Sequence, residues 1–273
     1  MEILDRQNEI KSLEVQTTAR LLYNRADTID MIQWIVVLLL PILKIFFLQS
    51  IFLNYLMIIW FFASFVLDYY IDKYTDTAAE LKKSFDYYVY GWTNGFQEKL
   101  LHLSKTYKVR NRKFFKTQTS NSGIDKPKGV KNWYTTVEKN MPQEEAIKSA
   151  MKESIYFDKR INDRAYLCVL IVVGVLFLVL LTSELTFYEV LFGLFVTFAS
   201  FTKKLYSTFV NMKKVSTINS NIQNLLCDKD TDLTYLQSEI DKKRSISGTS
   251  NKVLYFFQTK KIHDEVSIFK SEK

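Results

Sequence analysis

The sequence predicts an all-α integral membrane protein, with four transmembrane helices in two hairpins and a helical cytoplasmic domain. Three observations predict it. Two apolar blocks, 31–70 and 165–203, are each about twice the ~20 residues that one helical crossing needs. Gly (7) and Pro (3) are scarce over 273 residues, so long helix-compatible stretches run uninterrupted. The cations also avoid the apolar blocks: of 37 Lys and Arg, 4 precede residue 31, 19 lie in 73–164 and 13 in 203–273, leaving only Lys44.

Taken in order, residues 1–30 form an N-terminal cytoplasmic helix, with Ile3, Ile10, Leu13, Leu21 and Leu22 at amphipathic spacing. They are charged and too long for the leading part of a cleavable signal, so the first span is expected to stay. The block 31–70 breaks at Gln49-Ser50 and Asn54 into spans near 31–49 and 51–70. In lipid both must be helices, because each backbone N–H and C=O has to be satisfied within its own segment. Residues 71–164 make a second cytoplasmic region. Its opening places Ala79, Leu81, Phe85, Tyr88 and Val89 on a stripe that continues span two as helix. Residues 117–131 read as a polar loop punctuated by Gly and Pro. Asn140 as N-cap, Pro142 and the acids Glu144 and Glu145 then signal a helix start, leading into span three.

The block 165–203 breaks at Thr182-Ser183-Glu184 into spans near 165–182 and 185–203. After it, 204–273 is a C-terminal cytoplasmic region. It holds an amphipathic continuation of span four and a further helix over 230–244, capped by Asp230 or Thr231. None of the three charged regions is large enough for a core of its own, so they are expected to pack together.

Cation placement sets the orientation: both termini and 71–164 inside, hairpin tips outside. The tips leave no room for a folded external domain, which argues against a receptor for extracellular ligands. Four polar residues in or beside the spans are pore-lining candidates: Gln33, Lys44, Glu184 and Glu189. A lysine at the bilayer centre costs about 2.5–3.5 kcal/mol on insertion scales. Lys44 either snorkels to the headgroups beyond Gln49 or lines a pathway. Glu184 and Glu189 are either solvated at the second tip or form a ring that favours cations at a pore mouth. Pro41 removes a helix hydrogen bond and kinks span one in either case.

No catalytic arrangement emerges: there is no Gly-rich phosphate loop, no His-Glu metal pair and no serine with a base, so an enzyme is not expected. Cys168 and Cys227 give no disulfide framework, and His102 and His263 no metal site, so no cofactor is expected. The distinctive chemistry is KTYKVRNRKFFK, residues 105–116, with six cations, three aromatics and no acid. Two partners fit it. Juxtamembrane cations gain about 1 kcal/mol each beside an anionic leaflet. A small phosphorylated ligand would use Arg forks and aromatic stacking, for which Tyr107, Arg110, Arg112 and Lys113 are the candidates. Trp133 and Tyr134 are a second candidate pair, as stacking surface or core anchor. Bulk nucleic acid is not expected, since no nucleic-acid-binding motif accompanies the charge.

Several short stretches, in this order, resemble one family. They are AAELKKSFD (78–86) with the aromatic run to Trp92, Trp133-Tyr134, the segment Asp158 to Arg164 entering a span, and LQSEIDKKR (236–244). Together with the two-plus-two span layout they resemble the SMODS-associating four-transmembrane effector family. The match rests on Phe85-Asp86, Trp133-Tyr134, Leu236-Gln237, Ile240 and Arg244; Ala150-Met151-Lys152-Glu153 departs from the usual start before span three. The resemblance implies a bacterial inner-membrane protein encoded beside a nucleotidyltransferase that makes a cyclic oligonucleotide on phage infection. The messenger would activate a homo-oligomer that compromises the membrane. The residues alone leave two other classes open: an autonomous channel or holin-like toxin, and a non-conducting scaffold.

Overall fold

The computed structural model describes residues 3–47, 50–153, 155, 194–228 and 231–247. The described residues are helical, without a strand; Ser122 and Lys131 share one isolated parallel bridge. The helices are α1 (Ile3–Arg6), α2 (Ile10–Phe46), α3 (Ile51–Val89), α4 (Glu98–Arg110), α5 (Arg112–Ser120), α6 (143–153), α7 (Leu194–Cys227) and α8 (Leu233–Arg244).

Helix α2 runs without a break from the expected N-terminal helix into the expected span one, from Ile10 to Phe46. No Gly or Pro interrupts it before Pro41, so nothing in the backbone asks for a break at residue 30. Helix α3 continues past its apolar run as the stripe requires. It ends where Gly91 takes φ +81°, which an L side chain rarely adopts. There Trp92 N–H bonds Tyr87 O at 2.9 Å and Gly91 N–H bonds Tyr88 O at 3.1 Å, closing the helix end.

Helices α4 and α5 went unassigned in the sequence; α5 also takes the start of the expected loop, through Ser120. Two cap assignments are corrected. Helix α6 begins with Ala146 N–H on Pro142 O, so Pro142 rather than Asn140 stands at its start. Helix α8 is capped by Asp232, not Asp230 or Thr231, through a 2.8 Å bond from Thr234 N–H.

The chain forms two compact units. The first gathers residues 1–25, 73–158 and 218–245, three segments far apart in sequence. Leu22, Leu81, Leu100, Met151, Ile222 and Leu236 are each at most 1% exposed and come from six different helices, so the segments share one core. Full burial of each such side chain is worth about 1.5–3 kcal/mol.

The second unit comprises 26–72, 159–217 and 246–273. Val37, Leu40, Leu53, Met57 and Phe201 are buried in it. Helices α2 and α3 are long and apolar enough to cross a membrane, with mean hydropathy 1.8 and 1.9 in the spanning stretches. Only 33% and 17% of those stretches are buried, and Ile35, Phe52, Ile59 and Phe62 stand open. A soluble core helix would hide such a face, whereas lipid rewards exposing it. Span three and the first half of span four, up to residue 193, fall outside the described residues; the rest of span four is the start of α7.

Candidate functional site

Asp86 is the centre of the first unit's chemistry. It lies one residue past Phe85 on α3 and is completely buried. Tyr134 donates its hydroxyl to Asp86 Oδ1 at 2.6 Å, and the Tyr90 hydroxyl lies 3.1 Å from that of Tyr134. On the other oxygen, Arg244 of α8 donates at 2.5 Å and Gln237 at 3.3 Å. Lys82, one turn earlier on α3, completes the surround at 3.7 Å, donates to Gln16 and lies 4.4 Å over the Trp133 ring. The segment carrying Trp133 and Tyr134 is held from the N-terminus: Gln7 accepts from Tyr134 N–H at 2.8 Å, and Asn8 bonds Asn132. Four residues singled out by the resemblance, Asp86, Tyr134, Gln237 and Arg244, thus meet at one carboxylate.

The electrostatics follow from burial and pairing. Burial raises the Asp86 carboxyl, but Arg244, Lys82 and the Tyr134 hydrogen bond outweigh it and hold it below the usual range. Burial, and then Asp86, push Tyr90 and Tyr134 well above the ordinary phenol value, so both remain donors. Asp241 goes the other way: burial raises its carboxyl to about 6, against the pull of nearby Arg244.

A raised folded-state pKa means the fold holds that proton more tightly than the open chain does. The stability from Asp241 is therefore present below about pH 4 and lost as pH rises through about 6. Replacing Asp241 with Asn is expected to stabilise the protein at pH 8 by about 1–2 kcal/mol and to flatten its melting profile between pH 4 and 6. Thermal melts of both proteins across that range check this.

The candidate ligand residues fall into two settings. Tyr134 is 1% exposed and committed to Asp86, and Trp133 is half-buried against Lys82. Arg110, Arg112 and Lys113 stand on the surface where α4 gives way to α5 at Asn111. Tyr107 is half-buried, with the Arg25 guanidinium 5.2 Å over its ring. The structure does not bring these two groups into one described contact.

In the second unit Gln33 is 1% exposed. Its amide donates to Asp68 Oδ1 at 2.8 Å and to Ser64 O at 3.2 Å, and its oxygen accepts from Lys204 at 2.6 Å. Lys204 also binds Asp30, while Lys203 binds Asp68 at 2.6 Å and Ser64 Oγ at 3.0 Å. Two acids and two lysines thereby neutralise one another where the apolar runs of α2, α3 and α7 end. Lys44 directs its ammonium to Ser50 O, 3.4 Å away, at the α2–α3 connection. Glu184 and Glu189 lie outside the described residues. Asp30, Asp68, Lys203 and Lys204 were missed in the sequence as site residues: Asp30, Lys203 and Lys204 stand at expected span ends and Asp68 inside expected span two.

No curated protein and no solved structure matches the chain. Among the described residues no cluster of His, Cys, Asp and Glu could hold a metal ion. The SMODS-associating 4TM effector domain, a membrane effector rather than a known catalytic domain, matches residues 1–244. That match takes in both units and the residues around Asp86, and the chain belongs to this family.

Proposed function

We propose that this membrane effector of nucleotide-signalling defence is activated by a cyclic oligonucleotide and then permeabilises the bacterial inner membrane. In this reading it spans the membrane four times, with both termini in the cytoplasm, and acts as a homo-oligomer. The family match over 1–244 carries the reading. Two structural features support it. Three segments fold into one unit with a shared core, as a sensing body requires. Helices α2, α3 and α7 each contribute residues to both units, so the proposed sensing and membrane parts are joined three times along the chain. The messenger acts by binding one arrangement more tightly than the other.

The test is dye release from liposomes holding the full chain, with a panel of cyclic di- and trinucleotides. Release with one nucleotide, and none without it, is the expected result. Release in buffer alone would replace this reading with an autonomous toxin, and silence throughout with a scaffold. The same assay sorts the candidate contacts. Arg110→Ala with Arg112→Ala probes the exposed cations, and Trp133→Ala the half-buried ring.

A further inference from the structure

The surface of α4 and α5 carries a charge that the described residues leave largely unbalanced. Lys105, Lys108, Arg110, Arg112, Lys113 and Lys116 are all exposed. Lys108 pairs with Glu14 at 2.6 Å, whereas the other five have no ion pair among the described residues. Arg112 and Lys113 moreover occupy the first turn of α5, where the helix dipole disfavours cations, and no acid stands there. Between them Val109 is 63% exposed.

This arrangement suits an extended polyanion better than a small one. The cations are spread over two helical stretches either side of Asn111, Lys105–Arg110 and Arg112–Lys116, about 9 Å and ~7 Å long at ~1.5 Å per residue. A small-ligand site instead needs a concavity that buries ~70–90% of its guest. The side chains here are on the outside of two short helices. One contact says which polyanion is at hand. Tyr107, within this stretch, is covered by Arg25 of α2, and Arg25 precedes the apolar run beginning at Met31 by six residues.

We propose that the 105–116 surface docks on anionic phospholipid headgroups of the bilayer that the chain itself occupies, with Val109 entering the interface. The cations take lipid phosphates as partners, and the docking weakens with salt.

The test places a polarity-sensitive fluorophore at Val109→Cys in the full chain, with Cys168→Ser and Cys227→Ser. The labelled protein is reconstituted in nanodiscs of phosphatidylcholine with or without phosphatidylglycerol. A blue-shifted signal quenched by spin-labelled lipid is expected only with phosphatidylglycerol, and 0.5 M salt should reverse it. Each cation removed should lower the docked-to-free ratio about fivefold. The triple variant Arg110→Ala, Arg112→Ala, Lys113→Ala should therefore lower it about a hundredfold, with an unchanged melting temperature, since those side chains have no ion pair among the described residues.

Identical signals in the two lipids would overturn the proposal. So would a signal indifferent to lipid that shifts on adding a cyclic dinucleotide or a short oligonucleotide, which would assign the surface to that ligand. Dye release by a messenger does not enter this readout, so it fails or succeeds independently of the functional reading.

Discussion

Replacing Asp86 with Ala is expected to cost about 3–5 kcal/mol, because Arg244, whose side chain is 10% exposed, loses its 2.5 Å carboxylate and keeps only the more distant Asp241 at 3.5 Å. The Tyr134 hydroxyl also loses its 2.6 Å acceptor, and Lys82 loses its nearest carboxylate. Near-ultraviolet circular dichroism melts report the loss, since Tyr90, Trp92 and Tyr134 pack at this point. Adding Arg244→Met to Asp86→Ala should recover much of it, because removing both charges abolishes the under-paired guanidinium that makes the single change costly. If the double variant is as unstable as the sum of the two single ones, the pairing is not what stabilises this region. The pH dependence has the opposite sign to that of Asp241. The Asp86 carboxyl is held below its open-chain value, so its stabilisation is present above about pH 4 and lost as pH falls through the folded value. The Asp86→Ala protein should lack that acid-side loss.

How far the sequence reveals this centre depends on the kind of signal. The α3 stripe through Ala79, Leu81, Phe85, Tyr88 and Val89 announces a buried face, and all but the half-buried Tyr88 are buried. Asp86, seven residues after Ala79 and three before Val89, falls on that same face, and only its charge argues for solvent. Only closure of three separated segments over it makes it internal. On α8 a signal was available: Gln237, Asp241 and Arg244 stand at i, i+4 and i+7 beside Leu236 and Ile240, a polar row next to an apolar one. The family resemblance reached Gln237 and Arg244 by their letters, without revealing that they turn toward Asp86. Tyr134 lies in a segment without periodicity, pinned by Gln7 and Asn8 from the far end of the chain, and local pattern says nothing of such contacts. The cap at Asp232 was legible in type but not in register, since four Asp and Thr residues follow one another from 230 to 234 apart from Leu233.

Hydropathy finds where a span ends, not what its ends hold. Asp30 and Lys204 are 174 positions apart and were read as two separate boundaries, yet they form one buried pair that also engages Gln33. Replacing Lys204 with Met is therefore expected to cost about 3–5 kcal/mol, since Asp30 would stay charged without its ammonium and the Gln33 oxygen would lose its donor. The neutral pair Asp30→Asn with Lys204→Gln keeps hydrogen-bonding groups in place and leaves no orphan charge, so it should regain most of that loss in detergent melts.

The same three helices carry the proposed opening, which gives the pair a second consequence. A bundle tied together by Asp30–Lys204 and Asp68–Lys203 favours one arrangement of α2, α3 and α7, and cutting a tie shifts the balance toward any other. In liposomes the Lys204→Met protein should release dye without nucleotide, while the neutral pair should stay closed until nucleotide is added. If Lys204→Met melts as the parent does and remains tight, the pair holds neither the fold nor the closed state. If it melts early yet remains tight, the pair belongs to the fold alone.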